Sequence, residues 1–224
     1  MKTRFNVGLV GFGYIGNYHY KAILKQNSNF FLSTIFEKNL PLENKKKIPK
    51  KIKIFSNFKK NNIPDNIDIL VITAPTNLHL KFGKIAIEKV QTVIIEKPLG
   101  IKLKQAEQLI NHALKLKKKV IVVKQLRLNP YFVELKEIVK RKLLGKIHFI
   151  SIDIFLNRSK KYFSTSNWKG KKKYDGGTLF NQISHFIDLL YWIFGELKHT
   201  FGTKISADKK KNEHSGNLSL LFSN

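Results

Sequence analysis

The residues with the clearest chemical spacing are three glycines near the start of the chain. Gly11, Gly13 and Gly16 stand in G-x-G-x-x-G order within GFGYIG, directly after the apolar run FNVGLV. In such a turn the first glycine bends the chain. The second lets backbone approach a pyrophosphate, and the third lets a helix pack closely on a strand. The helix that begins there offers free N–H groups and the positive end of its dipole to phosphates. Phe12, Tyr14 and Ile15, between the glycines, join them as candidate cofactor contacts. Glu37 follows Gly16 by about twenty residues, the separation at which a carboxylate accepts hydrogen bonds from ribose hydroxyls. A carboxylate there repels a 2′-phosphate and favours NAD over NADP. Lys38 beside it tempers that preference, so NADP stays open. Glu37 also reads as an ordinary solvated loop carboxylate.

Two further stretches carry polar groups where a strand should end. In TAPTNLHL (73–80), Ala74, Pro75, Thr76, Asn77 and His79 are candidates to line a cofactor. His79 reads equally well as a helix-start histidine packed under its loop. In IIEKPLG (94–100), Glu96 and Lys97, further candidates to line the cofactor, precede Pro98. A residue before proline is held in extended backbone, which gives the Lys97 ammonium a route into a ligand cleft. Among 42 lysines and arginines it also reads as one more surface lysine. Later in the chain, Asn181 and His185 are four residues apart, a spacing that puts both on one face of a helix. His185 alone also reads as a buried histidine satisfied by a backbone carbonyl.

The elements that would position these groups alternate. Strand-like runs fall at 5–10, 30–37, 51–55, 67–74, 91–98 and 120–125, and helix-like runs at 16–27, 77–90 and 102–119. The 102–119 helix places Leu103, Ala106, Leu109, Ile110, Ala113 and Leu116 at apolar positions. Strands alternating with helices of this length predict an α/β fold with a doubly wound parallel sheet. The pattern changes near residue 126, so a first domain over 1–125 and a second, α+β domain over 126–224 are expected. The second opens with a helix over 130–144 closed by Gly145. An alternating strand follows at 146–157, with Ile150, Ile152, Ile154 and Leu156 on one face. A lysine-rich loop over 157–174 and a helix over 178–195 closed by Gly195 come next. Strand candidates at 197–207 and 217–223 end the chain.

Composition sets bounds. The chain has 224 residues, 42% of them hydrophobic, and no cysteine. Disulfides, thiolate nucleophiles and cysteine-held metals are excluded, and no metal site is expected. No apolar run reaches the length of a membrane span, and the N-terminus lacks a signal-peptide pattern. A cytoplasmic location is therefore the expectation. The formal net charge of +27 comes almost wholly from lysine, in scattered clusters such as KKKIPKKIK (45–53), KLKKK (115–119) and KGKKK (169–173). A polyanion partner is one reading. Scarce arginine and the lack of one aromatic-laced stripe weigh against nucleic acid. Attraction of anionic substrates and cofactors remains.

Taken in order, GFGYIG, TAPTNLH, EKPLG and GGTLFNQISHFIDLLYWIFG resemble the Gfo/Idh/MocA (glucose–fructose oxidoreductase / inositol dehydrogenase) family over nearly the whole chain. NWKGKKKYDGGTLFNQISHFIDLLYW points towards its sugar-nucleotide dehydrogenase type. The resemblance implies a nicotinamide-dependent oxidoreductase that oxidises a secondary hydroxyl of a sugar, sugar nucleotide or cyclitol. It implies that Lys97 is the catalytic lysine, that His185 is the acid/base and that Asn181 faces the same substrate. Many members carry aspartate at the Asn181 position, and asparagine takes no proton. The Lys97–Pro98 peptide is expected to be cis. Arg127, Asn129 and Trp168 are expected substrate contacts, with Lys124, Tyr162 and Asp175 of second rank; Arg127 or the 169–173 lysines would meet a substrate diphosphate. Asp188 would brace its own helix or a nearby loop. Family chains run longer, so the resemblance implies a shortened second domain whose antiparallel sheet is incomplete. Such a sheet exposes an edge and an apolar face. A truncated product, a fragment and a homo-oligomer joined through that sheet all stay open. So does an NAD-binding module without turnover.

Overall fold

The structure is a computed structural model that describes residues 4–164, 166, 168–177, 179–205 and 215–223. It divides into two compact units, Met1–Val123 and Lys124–Asn224. In the first unit the elements run β1 (Phe5–Val10), α1 (Tyr14–Lys25), β2 (Phe30–Phe36), α2 (Leu42–Lys47), β3 (Lys53–Phe55), β4 (Ile69–Ile72), α3 (Thr76–Lys89), β5 (Thr92–Ile95), α4 (Leu103–Lys115) and β6 (Lys119–Val122). The six strands form one sheet in the order β3-β2-β1-β4-β5-β6, and every pair is parallel. This is the Rossmann order, with its reversal between β1 and β4.

The strands are nearly continuous apolar runs because both faces of the sheet are covered. Successive side chains point to opposite faces, and the two core clusters show it. Leu70 and Ile72 of β4 enter one cluster with Val93, Ile95, Ala86, Ile87 and Leu109. Val71, between them, enters the other with Val7, Leu9, Leu32 and Ile35. The 102–119 helix is shorter than its sequence pattern. α4 stops at Lys115, and Lys117 takes a left-handed backbone at φ 55°. Leu109 and Ala113 are buried, whereas Leu103 is 74% exposed because it opens the helix beyond the sheet's cover.

The second unit holds α5 (Pro130–Lys140), α6 (Lys160–Ser164), α7 (Lys172–Asp175), α8 (Ser184–Phe194), β7 (Leu197–Ile205) and β8 (Ser215–Phe222). β7 and β8 pair antiparallel. α5 ends four residues before the expected 144. Lys142 adopts φ 56° and breaks the helix, so Gly145 lies past the true C-cap, Arg141. The expected 178–195 helix is divided: Leu179–Ile183 form a π-helical turn and α8 follows, with Gly195 at φ 89° closing it. Two short helices interrupt the expected 157–174 loop.

The strand expected at 146–157 does not form. Alternation fixes which side chains share a face, but a strand also needs a neighbour for its N–H and C=O groups. Among the described residues β7 and β8 satisfy each other, and none pairs with residues 147–159. Phe149 and Phe155 consequently stand 84% and 92% exposed.

Candidate active site

The glycine turn joins β1 to α1, and each glycine has a separate reason to be there. Gly11 sits at φ +95°, in the left-handed region, and a Cβ on it would lie 2.9 Å from the Ala74 nitrogen. A Cβ on Gly16 would lie 2.3 Å from the Gly11 carbonyl oxygen, so only glycine lets α1 start this close to the turn. A Cβ on Gly13 would meet nothing within 4 Å. Gly13 is the N-cap of α1 and no side chain caps that helix. Its first N–H groups, on Tyr14, Ile15 and Gly16, have no partner within the helix. Open space at Gly13, beside N–H donors that lack a partner within the helix, is the shape and chemistry a pyrophosphate needs.

The Glu37 carboxylate closes the other side of the turn. One oxygen accepts the Phe12 N–H at 2.6 Å and the other accepts the Asn39 N–H at 3.0 Å. A carboxylate has roughly four acceptor positions, so capacity remains for ribose hydroxyls. Phe12 contributes only backbone here; its ring is buried against Tyr20 in the core. Tyr14 and Ile15 are exposed at the open end, and the Tyr14 and Tyr18 hydroxyls lie 3.1 Å apart. Thr73, which the sequence reading passed over, braces the turn. Its hydroxyl donates to the Gly11 carbonyl at 2.8 Å. Only its place at the end of β4 signals this.

Ala74 and Pro75 are half-buried, Thr76 is buried and Asn77 is exposed at the start of α3. His79 is 1% exposed. Its Nδ1 lies 2.8 Å from the Pro98 carbonyl oxygen and its Nε2 lies 2.7 Å from the Ala74 carbonyl oxygen. Both ring nitrogens thus face backbone carbonyls, the arrangement the packed-histidine reading expects. Burial pushes the His79 pKa down and outweighs the two carbonyls and Glu96, which favour the charged ring. A neutral ring carries one proton, so it donates to one carbonyl at a time.

At the end of β5, Glu96 and Lys97 are half-buried and the Lys97–Pro98 peptide is cis. His19 of α1 also belongs to this group, although its spacing gave no hint of it. Its Nε2 lies 2.8 Å from one Glu96 oxygen. The other Glu96 oxygen accepts the Lys97 N–H at 3.2 Å. Burial works to raise the Glu96 pKa. The hydrogen bond and charge of His19, and those of Lys97, outweigh burial and hold the carboxyl below its ordinary value.

In the second unit, Asn181 lies in the π-helical turn and His185 in the first turn of α8; both are half-buried. The Asn181 N–H donates to the Gly177 carbonyl at 2.9 Å. Arg127 spends its fork on Asp188, with bonds of 2.8 and 2.7 Å, and the Lys124 ammonium stands 3.3 Å from the same carboxylate. Asp188 thus braces the 125–128 turn against α8 instead of its own helix. Burial works to raise its pKa, and Arg127 and Lys124 hold it below the ordinary value. Asn129 caps α5 by accepting the Tyr131 N–H at 3.0 Å. Asp175 is buried and accepts N–H groups from Gly170 and Gly177, which shapes the loop before Asn181. Trp168 is half-buried in that loop, and the Lys169 ammonium lies 4.5 Å from the Tyr162 ring centre.

The sequence profile described as the oxidoreductase family with an NAD-binding Rossmann fold matches residues 5–124. A second profile, the Gfo/Idh/MocA C-terminal domain, matches residues 132–224. The chain belongs to the Gfo/Idh/MocA oxidoreductase family. This Gfo/Idh/MocA chain carries the family's NAD-binding domain. Oxidoreductase P35 of Formosa agariphila is 23% identical to it over 89% of this chain and 63% of its own length. The scyllo-inositol 2-dehydrogenase (NADP(+)) of Bacillus subtilis is 24% identical over 84% of this chain and 51% of its own. Among solved structures, the WlbA dehydrogenase of Chromobacterium violaceum, in complex with NADH and UDP-GlcNAcA, superposes with a TM-score of 0.90. It is 25% identical over 99% of this chain and 65% of the WlbA chain. The Bordetella pertussis WlbA, with the same two ligands, gives 0.89 at 25% identity over 98% of this chain and 68% of its own. The chain spans 38%, 63% and 55% of the length of three curated relatives it matches, all oxidoreductases. Among the described residues no helix is long and apolar enough to cross a membrane.

Proposed function

We propose that this Gfo/Idh/MocA chain is an NAD-dependent dehydrogenase acting on a secondary hydroxyl of a sugar nucleotide. The observation that carries the substrate class is the likeness to WlbA at a TM-score of 0.90 over 99% of the chain, since those enzymes were solved with NADH and UDP-GlcNAcA. The preference for NAD rests on Glu37, whose carboxylate stands against the glycine turn and would repel a 2′-phosphate. Bound there, NAD supplies the acceptor for a hydride.

The chain's own residues do the rest. His185 takes the proton of the substrate hydroxyl, a task suited to an imidazole near neutral pH. Lys97 donates a hydrogen bond to the same oxygen and stabilises its developing negative charge. Asn181 orients the hydroxyl without exchanging a proton. With the Arg127 fork occupied by Asp188, the substrate diphosphate falls to the basic stretch 169–173. Asn129 and Trp168 complete the substrate contacts.

The test is NADH formation from NAD with a panel of UDP-sugars, UDP-GlcNAcA among them, and inositols. Lys97→Ala and His185→Ala should each lower kcat/KM by about 10²–10⁴-fold while NAD still binds. Turnover that survives both substitutions would remove the assignment. A second reading, an NAD-binding module without turnover, is favoured by Asn181, whose amide takes no proton from the substrate. NAD binding with no reactive substrate across the panel would select it.

A further inference from the structure

Two histidines outside the proposed chemistry hold the lysine that carries it. His19 reaches from α1 to the Glu96 carboxylate at 2.8 Å, and that carboxylate's second oxygen accepts the Lys97 N–H at 3.2 Å. His79 reaches from α3 to the carbonyl of Pro98, the residue after Lys97, at 2.8 Å, and to the Ala74 carbonyl at 2.7 Å. The tripeptide 96–98 is thus gripped on both sides of Lys97, once through a side chain and once through backbone. The support behind it is close-packed: a Cβ on Gly100 would lie 2.3 Å from Leu80 of α3. The gripping helices are those that open from the glycine turn and from the 74–77 loop. The parts that would receive the nucleotide and the segment bearing Lys97 are therefore tied by side-chain bonds as well as by the sheet.

We propose that His19 and His79 are positioning residues that fix Glu96–Lys97–Pro98 at the end of β5, and so set where the Lys97 ammonium stands relative to the glycine turn. The proposal rests on Lys97 being the reacting lysine of the proposed dehydrogenase. Neither histidine touches the substrate in this account. A group that acts this way leaves nucleotide affinity nearly intact and changes the lysine. Displacing a reacting group by about 1 Å costs up to about 100-fold in rate.

The experiment uses the full chain and the variants His19→Leu, His19→Gln and His79→Leu. NADH affinity is read by fluorescence. Turnover is read on the panel sugar that the wild type accepts. The rate at which an amine-selective reagent modifies Lys97, without substrate, is read by peptide mass spectrometry, with exposed Lys104 as internal reference. His19→Leu should lower kcat by about tenfold or more with the NADH Kd little changed. It should shift Lys97 labelling about threefold, what a half-unit pKa change produces. His19→Gln, which keeps a donor for Glu96, should recover most of both. His79→Leu should act in the same direction; if circular dichroism shows it unfolded, the His19 variants decide. Wild-type Lys97 labelling in His19→Leu would overturn the proposal, and so would a His19→Gln as impaired as His19→Leu. If the wild type turns over no panel sugar, the dehydrogenase reading fails, and Lys97 labelling still decides the positioning role.

Discussion

At the residue scale, three titratable groups tie this fold to pH in the same direction. Glu96 in the first unit and Asp188 in the second have folded-state pKa values below the ordinary carboxylate value, and buried His79 lies below the ordinary imidazole value. A depressed folded pKa means that the unfolded chain binds the proton more readily, so stability falls as pH falls. The His79 contribution is complete above about pH 6.5 and is lost below it, as pH drops through the folded value. The two carboxylates contribute fully above about pH 4, and their share is lost below that. Thermal midpoints measured from pH 8 to pH 3 should therefore decline in two stages. Asp188→Asn should remove part of the acid stage and leave Arg127 and Lys124 without their partner at neutral pH. A midpoint that rises on acidification would contradict this accounting.

At the element scale, the glycine turn offers a cleaner test than any strand. A methyl group at Gly16 would collide with the Gly11 carbonyl, which is backbone and cannot swing aside, whereas one at Gly13 would enter open space. Gly16→Ala should lower the midpoint of the ligand-free protein and weaken NAD binding. Gly13→Ala should leave the ligand-free midpoint unchanged and still abolish the midpoint rise that NAD gives to the parent. Equal ligand-free midpoints for both variants would show that the α1 approach is looser than drawn. This turn was legible in the sequence because its requirements are local: a left-handed residue, a close contact and a gap at fixed spacing. So were the β1–β6 strands, whose apolar runs already imply cover on both faces. The 146–157 run was not legible. Its alternation is as regular as any in the chain, but pairing depends on neighbours that a local pattern does not contain. His19 was missed for the same reason. Its partner, Glu96, is distant in sequence and meets it only once β5 lies in the sheet near α1. The Arg127–Asp188 fork was half-legible: the brace was foreseen, its partner was not.

At the scale of the whole molecule, apolar burial is very unevenly shared. Both core clusters lie entirely within the first unit. In the second unit the buried hydrophobic side chains among the described residues are Leu189 and Ile193 alone. Local opening costs least where few apolar side chains are buried. A protease offered the intact chain at low dose should therefore cut first beyond Val123, within 147–159 above all, where the backbone lies outside every helix and sheet. A product close to 1–123 should outlast the rest, and NAD should slow its further digestion, because binding lowers the population of opened forms. Early cleavage inside β1–β6 would contradict that order. The 147–159 stretch thus has a practical meaning: a nick there leaves the glycine turn and His185 on separate pieces, so the dehydrogenase proposed above would lose turnover before it loses nucleotide binding.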